Sequence, residues 1–386
     1  MPKLPKKSLL KLERRREANA LRTLSLHSDA IDFSSNDYLG FARNKKIEKA
    51  AQRIMAGQDI LNGATGSRLL TGHHALLEQL ETFLATYHNA EDALVFNSGY
   101  DANLGFFSSV PQRGDLIFYD ELAHASIRDG IALGLAKSYK FKHNDIEDLA
   151  LHIGRSRDKG GNQDQEIFVV TESVFSMDGD SPDLKAFAAY CAEEGLHLVV
   201  DEAHATGVLG NGKGLASELG IEEQVFARLV TFGKALGCHG AAILGSPSLK
   251  IYLLNFARSL IYSTALPPHT VATALSSYKH LASEEGKKTV ESLHDRIHFF
   301  LQKKREYDLQ DVFLPSGSAI HVAVLKGNKR VKQCAEQLKE NGIDVRPILA
   351  PTVPEGHERL RICLHVFNTK EQITKVLQLI TKFYHG

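Results

Sequence analysis

A lysine flanked by glycines, Lys234 in T-F-G-K-A-L-G (231–237), has the setting of a chemically active amine. It follows the apolar run R-L-V-T-F at 228–232, and the glycines beside it let the backbone or a flat ligand approach closely. A lysine amine becomes nucleophilic when partial burial or cationic neighbours lower its pKa, and it then forms Schiff bases with carbonyl groups. The plainer alternative is a loop lysine that happens to follow a strand, and position alone does not separate the two.

Polar side chains with complementary chemistry follow other apolar runs of the sequence. Asp201 and His204 follow L-H-L-V-V, and His124 lies shortly after L-I-F-Y. With Lys234 they match what pyridoxal phosphate needs: an amine for its aldehyde, an acid beside its pyridine nitrogen and a ring over its face. We therefore predict that Lys234 binds the aldehyde, Asp201 keeps the ring nitrogen protonated and His124 stacks on the ring. The remaining candidates are His204 and Ser176 for the phenolic oxygen, and Thr231 with the amides of S-G-Y at 98–100 for the phosphate.

The segment D-E-A-H at 201–204 also resembles the acidic box of a helicase, in which a strand-end carboxylate helps to hold Mg²⁺. That function requires an upstream phosphate loop of the form G-x-x-x-x-G-K-[ST]. Neither G-N-G-K-G at 210–214 nor T-F-G-K-A-L-G has that form. The 46 basic and 46 acidic side chains also balance, which argues against a broad basic surface. We therefore predict no nucleic-acid partner.

Apolar runs typical of buried strands alternate with helical stretches over most of the chain. The runs lie at 93–96, 116–119, 167–170, 196–200, 228–232 and 241–244. Because this alternation is typical of βαβ units, we predict an α/β fold with a mostly parallel sheet covered by helices on both faces. Open sheets of this kind bind ligands beyond the carboxyl ends of their strands, where the polar candidates lie. The polar, glycine-rich segment 154–166 is predicted as a surface loop.

The 386 residues divide by pattern into three parts. We predict an N-terminal arm at 1–45 with a charged helix at 8–24, a large domain at 46–285, and a small α+β domain at 286–386 with strands at 319–325 and 359–364. The N-terminus lacks the apolar run of a signal peptide, and no stretch approaches the ~18 apolar residues of a membrane helix. We expect a cytoplasmic protein without a membrane segment. We also expect no metal site, because two histidines and four cysteines lack metal-ligand spacing: His73, His74, Cys191, Cys238, Cys334 and Cys363.

Three segments together resemble the α-oxoamine synthases: V-F-S-M-D-G-D (174–180), V-D-E-A-H-A-T-G (200–207) and T-F-G-K-A-L-G (231–237). Supporting segments are S-S-N-D-Y-L-G (34–40), T-G-S-R-L-L-T-G (65–72), H-A-S-I-R-D-G (124–130) and I-Y-S-T-A-L-P-P (261–268). The similarity runs from about residue 31 to the R-L-R at 359–361. The resemblance implies a fold-type-I pyridoxal-phosphate enzyme that condenses an amino acid with an acyl thioester and releases CO₂.

The resemblance also implies roles for individual residues. Lys234 would remove the Cα proton of the amino acid, and Arg361 would hold the carboxylate of that amino acid with help from Asn36 and His124. Gly99 and Tyr100 would lie against the phosphate, and Arg22 and Thr352 match positions that contact substrate. Ser263 and Thr264 would reach the phosphate of a partner subunit, which makes the active unit a homodimer. Glu202 departs from the family pattern, which commonly has a second aspartate there.

Within the family, segments 34–40, 261–268 and A-P-T-V-P at 350–354 most resemble the members that join L-alanine to a pimeloyl thioester in biotin synthesis. The thioester carrier stays open between coenzyme A and acyl carrier protein. The alternative is a sister member with other substrates, such as glycine and acetyl-CoA. A catalytically silent subunit is less consistent with the sequence, because Lys234, Asp201 and His124 are all present.

Overall fold

The structure is a computed structural model that describes residues 4–22, 24, 29–57, 62–158, 164–350 and 352–385. The chain forms two compact units, and each is described by itself. The larger unit comprises residues 36–176 and 180–294, and the smaller unit comprises residues 1–35, 177–179 and 295–386. The division into an arm at 1–45, a large domain at 46–285 and a small domain at 286–386 remains a prediction.

The described residues form twelve strands and fourteen α-helices. The strands are β1 (Ile31–Asp32), β2 (Asp92–Phe96), β3 (Leu116–Asp120), β4 (Lys137–Phe141), β5 (Ile167–Glu172), β6 (His197–Asp201), β7 (Ala227–Thr231), β8 (Ala241–Gly245), β9 (Ile320–Val324), β10 (Ile343–Asp344), β11 (Arg346–Ile348) and β12 (Arg359–Cys363). The helices are α1 (Lys6–Glu17), α2 (Lys45–Ala56), α3 (Ala75–Tyr87), α4 (Gly99–Ser109), α5 (Ala125–Leu133), α6 (Ile146–Arg157), α7 (Leu184–Glu194), α8 (Leu215–Leu219), α9 (Pro247–Phe256), α10 (Arg258–Ile261), α11 (Pro268–Leu281), α12 (Glu284–Glu306), α13 (Asn328–Glu340) and α14 (Lys370–His385).

The larger unit is built on a seven-stranded sheet in the order β2-β8-β7-β6-β5-β3-β4. Strands β3 to β7 run parallel, and β8 is antiparallel to both of its neighbours. All six residues of β5 are buried, and because successive side chains point to opposite faces, both faces of the sheet are covered there. The predicted α/β fold with a mostly parallel sheet is confirmed.

The core of this unit packs helices α4, α5 and α9 against the sheet. Phe106 and Phe107 of α4, Ile127 of α5 and Leu253 of α9 share one buried cluster with residues of β2, β3 and β5 to β8. Burial of a large apolar side chain stabilises a fold by roughly 1.5–3 kcal/mol, so this cluster holds the starts of α4 and α5 firmly against the sheet. Both helix starts contribute to the site described below.

Three elements differ from the sequence analysis. The helix predicted at 8–24 is shorter, because α1 ends at Glu17 and Asn19 then adopts a positive φ of 51°, which a helix does not allow. The sequence analysis missed β4, because its residues K-S-Y-K-F form an edge strand whose first four side chains are exposed. An apolar-run criterion cannot detect a strand that packs so little apolar surface. The predicted loop at 154–166 begins too early, since residues 154–157 form the last turn of α6; residues 159–163 lie outside the described part of the chain.

The smaller unit contains a three-stranded antiparallel sheet, β11-β12-β9, and a parallel pair of β1 with β10. Helices α13 and α14 pack against each other in this unit. Within the described ranges of the whole chain, no helix has both the length and the apolar character needed to span a membrane.

Candidate active site

The carboxyl ends of three adjacent strands bring polar side chains to one edge of the large sheet. Strand β7 ends at Thr231, β6 at Asp201 and β5 at Glu172. Glu172 and Asp201 are direct partners in the sheet register. This is the edge at which open α/β sheets bind their ligands.

Asp201 is a buried carboxylate, 7% exposed, with hydrogen-bond donors at both oxygens. The amide of Asn103 donates to Oδ2 at 2.9 Å, and the backbone N–H of Ala203 donates to Oδ1 at 3.0 Å. Both oxygens of this carboxylate thus act as acceptors, which suits a donor such as a protonated ring nitrogen.

Lys234 and His124 lie within electrostatic range of this carboxylate. Although His124 is partly exposed, burial of its ring lowers its pKa; Asp201 opposes the shift and Lys234 adds to it. Burial raises the pKa of Glu172 to about 8, with a further rise from Asp201 and an opposing effect of Lys234. The half-buried residue Lys234 therefore interacts electrostatically with His124 and Glu172, and so does Asp201.

His204 is held through a buried tyrosine. The phenol oxygen of Tyr38 lies 2.8 Å from Nδ1 of His204, and its O–H donates to Oδ1 of Asn36 at 3.1 Å. Asn36 and His204, which the sequence analysis proposed separately, thus meet through Tyr38. Ser176 lies half-buried in the loop that follows β5.

The start of α4 forms an anion-binding corner next to Thr231. Ser98 caps the helix by accepting a hydrogen bond from the N–H of Asp101, and Gly99 is the first helical residue. A Cβ atom on Gly99 would lie 3.8 Å from Oγ1 of Thr231, so backbone and hydroxyl are neighbours. A helix N-terminus with free N–H groups favours phosphate. The hydroxyl of Tyr100 donates to the carboxylate of Asp129.

Ser263 and Thr264 lie on the loop between α10 and α11. The backbone oxygen of Thr264 accepts a hydrogen bond from Asn97 at 2.8 Å, and the Thr264 side chain is exposed. Ser263 is half-buried beside a small cavity that Arg68 and Asn97 also line.

The smaller unit holds the other three substrate candidates. Arg22 donates to the hydroxyl of Thr352 at 3.4 Å, which joins two positions that were predicted independently. Arg361 lies on β12, only 7% exposed, and its guanidinium contacts Sγ of Cys363 at 2.9 Å. A planar guanidinium suits bidentate binding of a carboxylate.

The donor set of the larger unit fits pyridoxal phosphate. It provides an anionic carboxylate with two N–H donors, an amine in electrostatic range of that carboxylate, and a helix N-terminus beside a hydroxyl. In the described residues, no group of three or more His, Cys, Asp or Glu side chains could hold a metal ion.

Three residues of this site escaped the sequence analysis as site residues: Asn103, Ser126 and Tyr38. Glu172 follows from the strand-end rule, because it stands at the end of a buried apolar run just as Asp201 does. Asn103 and Ser126 lie inside helical segments, where the sequence gives no indication of which residue faces the sheet edge.

The chain is similar to known proteins over most of its length. The family "Aminotransferase class I and II" matches residues 28–380. The chain is 39% identical to an 8-amino-7-oxononanoate synthase of Emericella nidulans, over 98% of this chain and 96% of that protein. It is 36% identical to an 8-amino-7-oxononanoate synthase of Lysinibacillus sphaericus, over 91% and 87% of the two chains.

Solved structures show the same fold. An 8-amino-7-oxononanoate synthase from Francisella tularensis is similar with a TM-score of 0.76 and 31% identity, over 92% of this chain and 98% of that one. The serine palmitoyltransferase of S. paucimobilis, solved with a bound PLP–myriocin aldimine, is similar with a TM-score of 0.87 and 25% identity, over 98% and 97% of the two chains.

Proposed function

The chain belongs to the aminotransferase class I and II family, and from that membership we propose that it condenses L-alanine with a pimeloyl thioester. The products would be 8-amino-7-oxononanoate, CO₂ and the free thiol carrier, as a step of biotin biosynthesis. The enzyme is an acyltransferase that depends on pyridoxal phosphate. The curated relatives support the proposed product, because they are named for the synthesis of 8-amino-7-oxononanoate. They are 35–39% identical to this chain and match nearly all of it.

The observation that carries the proposal is the convergence at the sheet edge. Thr231, Asp201 and Glu172 end adjacent strands, and Lys234 and His124 lie within electrostatic range of Asp201. An arrangement of this kind serves a cofactor with an aldehyde, a basic ring nitrogen and a phosphate. When bound, pyridoxal phosphate supplies an electron sink for the negative charge that develops at the Cα of the amino acid.

The residues of the larger unit would bind the cofactor and move one proton. Lys234 would hold the aldehyde carbon and, once displaced by alanine, take the Cα proton on Nζ. Asp201 would keep the proton on the pyridine nitrogen, because its buried carboxylate would accept a hydrogen bond from that nitrogen. The other contacts would be Gly99, Tyr100 and Thr231 at the phosphate, Ser176 and His204 at the phenolic oxygen, and His124 over the ring.

Four further residues would bind the substrates. Arg361 would pair with the carboxylate of alanine, with Asn36 assisting, and Arg22 and Thr352 would contact the acyl thioester. Ser263 and Thr264 would reach the phosphate in a partner subunit. The active form would then be a homodimer with its sites at the subunit interface, acting on the thioester of coenzyme A or of acyl carrier protein.

A sister α-oxoamine synthase activity is the second candidate. It is favoured by the structural similarity to serine palmitoyltransferases, whose TM-scores of 0.85 and 0.87 exceed the 0.76 of the oxononanoate synthase structure. Such an enzyme would use the same cofactor site with another amino acid or acyl thioester, such as glycine with acetyl-CoA.

Spectroscopy and turnover together test the proposal. The purified protein with pyridoxal phosphate should show a visible absorbance that borohydride abolishes. Lys234→Ala should lose this absorbance, whereas the lysine control Lys213→Ala should retain it. Alanine with pimeloyl-CoA or pimeloyl acyl carrier protein should then release CO₂ and thiol.

Two outcomes would contradict the proposal at different points. Turnover of glycine with acetyl-CoA, and none of alanine with a pimeloyl thioester, would replace it with the sister activity. Retention of the borohydride-sensitive absorbance in Lys234→Ala would remove Lys234 from its role.

A further inference from the structure

The Nδ1 atom of His124 accepts a hydrogen bond from a group that can only donate. His124 is the N-cap of α5, and the backbone N–H of Ser126 points to its Nδ1 at 3.2 Å. A backbone N–H has no acceptor capacity, so Nδ1 presents its lone pair here. In a neutral imidazole the single proton must then lie on Nε2.

The side chain of Ser126 supports the same assignment. Its Oγ lies 2.7 Å from Nδ1 of His124, and it accepts a hydrogen bond from the Nδ2 of Asn103 at 2.9 Å. Because Oγ already accepts from Asn103, its own proton is available for Nδ1. His124 therefore has two donors aimed at the same ring nitrogen.

Asn103 links this arrangement to the catalytic carboxylate. Its Nδ2 also donates to Oδ2 of Asp201 at 2.9 Å. Since an ionised carboxylate only accepts, the orientation of the Asn103 amide is defined by Asp201. The two N–H groups of one amide thus face Asp201 and Ser126. Hydrogen bonds of defined direction therefore connect Asp201 to His124 through Asn103 and Ser126.

The backbone of His124 is anchored on the other side by Glu172. The His124 N–H donates to Oε1 of Glu172 at 2.6 Å, and Glu172 is the register partner of Asp201 in the sheet. Asp201, Asn103, Ser126, His124 and Glu172 therefore form a closed ring of contacts. Asn103, Ser126 and Glu172 are 4%, 1% and 4% exposed, so water competes little for their hydrogen bonds.

The surrounding charges also favour a neutral ring on balance. Burial lowers the pKa of His124, and Lys234 and Arg128 lower it further, whereas Asp201 and Asp129 raise it. The N-terminus of α5 carries a partial positive charge, which also disfavours a cation at that position. The ring nitrogen that faces the helix end therefore keeps its lone pair.

We propose that Asn103, Ser126 and Glu172 are positioning residues that hold His124 as the neutral tautomer with its proton on Nε2. The inference rests on the proposed function in one respect, namely that His124 faces the bound amino acid. In that position Nε2–H is a hydrogen-bond donor for a substrate oxygen, either of the carboxylate or of the acyl group. The other tautomer would direct a lone pair toward that oxygen and repel it.

The tautomer can be measured directly in the holoenzyme without substrate. Two-bond ¹⁵N–¹H correlation spectra of protein labelled with ¹⁵N-histidine distinguish the two neutral tautomers and the cation, and His124→Gln identifies the His124 signals. In the wild type we expect the Nε2–H pattern near neutral pH. Ser126→Ala removes one of the two donors to Nδ1, and Asn103→Ala removes the donor that orients Oγ of Ser126. Each should therefore shift the tautomer ratio about tenfold toward Nδ1–H.

Matched variants distinguish a specific effect on the His124 tautomer from a general disturbance of the fold. Ser173 is a fully buried serine whose hydroxyl donates to the backbone oxygen of Asp201 at 3.2 Å, so Ser173→Ala should leave the His124 signals unchanged. Ser126→Thr keeps the hydroxyl and should retain the Nε2–H pattern. A wild-type His124 protonated on Nδ1, or an unchanged ratio in Ser126→Ala, would overturn the proposal. Neither result depends on alanine or pimeloyl turnover, so failure of the proposed function is detected separately.

Discussion

Arg22 donates a hydrogen bond to the hydroxyl of Thr352, with 3.4 Å between Nη2 and Oγ1, although 330 residues separate them in the chain. Both side chains are exposed, so the pair itself contributes little to stability. A guanidinium and a hydroxyl held together at a surface suit an oxygen-rich ligand such as an acyl thioester carrier. The pair is therefore a specific target for a test of thioester binding.

Removal of the Arg22 charge should weaken binding of the thioester more than it slows the chemical step. We expect Arg22→Gln to raise KM for pimeloyl-CoA about tenfold with little change in kcat, because a hydrogen bond to a charged group contributes roughly 1.5–3 kcal/mol. Thr352→Val should raise KM less. Steady-state kinetics check this, with Arg14→Gln on the exposed α1 as control. A loss confined to kcat would place Arg22 in the chemistry instead.

The site residues that could be predicted from the sequence are those that directly follow a strand. Asp201 and Lys234 each follow an apolar run, so the topology of a parallel sheet is enough to bring them to one edge. The supporting residues could not be found that way, because Asn103 acts on Asp201 from a helix 98 residues away in the chain. Which residues of α4 and α5 face the site depends on how each helix is rotated about its axis on the sheet, and packing determines that rotation.

The same limit applies to the edges of the fold. Strand β4 carries lysine, serine and tyrosine at exposed positions, and its backbone pairing with β3 rather than apolar burial makes it a strand. The short strands β1 and β10 have two residues each and pair across more than three hundred positions. No local pattern of this length distinguishes a strand from a loop.

His143 should make stability depend on pH in the alkaline range. It contacts Asp120 at 2.9 Å through Nδ1 and Asp180 at 2.8 Å through Nε2. Burial alone would lower its pKa, but the hydrogen bonds to the two carboxylates raise it from 6.5 to about 10. Because the pKa is higher in the folded state, this contribution is complete below pH 6.5 and is lost as the pH rises toward about 10.

We expect His143→Gln to lower the free energy of unfolding by on the order of 3 kcal/mol at pH 6, and by progressively less as the pH rises. Urea unfolding midpoints from neutral to alkaline pH measure this difference. His152→Gln is the control, because His152 lies 3.9 Å from Asp148 in a more open contact. A difference between His143→Gln and wild type that stays constant with pH would show that His143 is not charged in the fold.

Gly214 should tolerate no side chain while Glu202 is present. Gly214 has a φ of +109°, and a Cβ atom there would lie 2.5 Å from Oε2 of Glu202. The buried Glu202 also accepts a hydrogen bond from the N–H of Ala216 at 2.9 Å and faces Arg228 at 3.7 Å, so it has little freedom to move. Backbone strain alone should cost Gly214→Ala about 1–3 kcal/mol, and the contact with Glu202 adds to it.

Two variants separate backbone strain from the contact. Gly195 is in the left-handed helical region with a φ of +66° and open space around its missing Cβ. Gly195→Ala should therefore show the cost of a left-handed backbone without a contact, and lose less stability. Glu202→Asp shortens the carboxylate and should make Gly214→Ala less harmful in the double variant. Thermal unfolding of wild type, Gly214→Ala, Glu202→Asp and the double variant measures the coupling. Additive losses would mean that the backbone conformation alone excludes alanine.

His321 should sensitise the smaller unit to acid. It is fully buried on β9 and stacks on Phe300 with 4.1 Å between ring centroids, and neither ring nitrogen has a hydrogen-bond partner among the described residues. Burial lowers its pKa to about 3, with a further effect of Lys304. The unfolded chain therefore binds a proton near pH 6.5 while the folded chain does not, and stability falls as the pH drops from 6.5 toward about 3.

Exchange of this ring for an aliphatic side chain should remove that acid sensitivity. We expect His321→Leu to raise the free energy of unfolding by about 1 kcal/mol at pH 7, because a buried polar group without a partner is lost, and by more as the pH falls. The exposed His298→Leu makes the same chemical change in the same unit and should leave the pH dependence as in the wild type. Urea unfolding between pH 4 and pH 7 measures both variants. Parallel pH profiles for His321→Leu and wild type would show that His321 is protonated, and therefore solvated, in the folded protein.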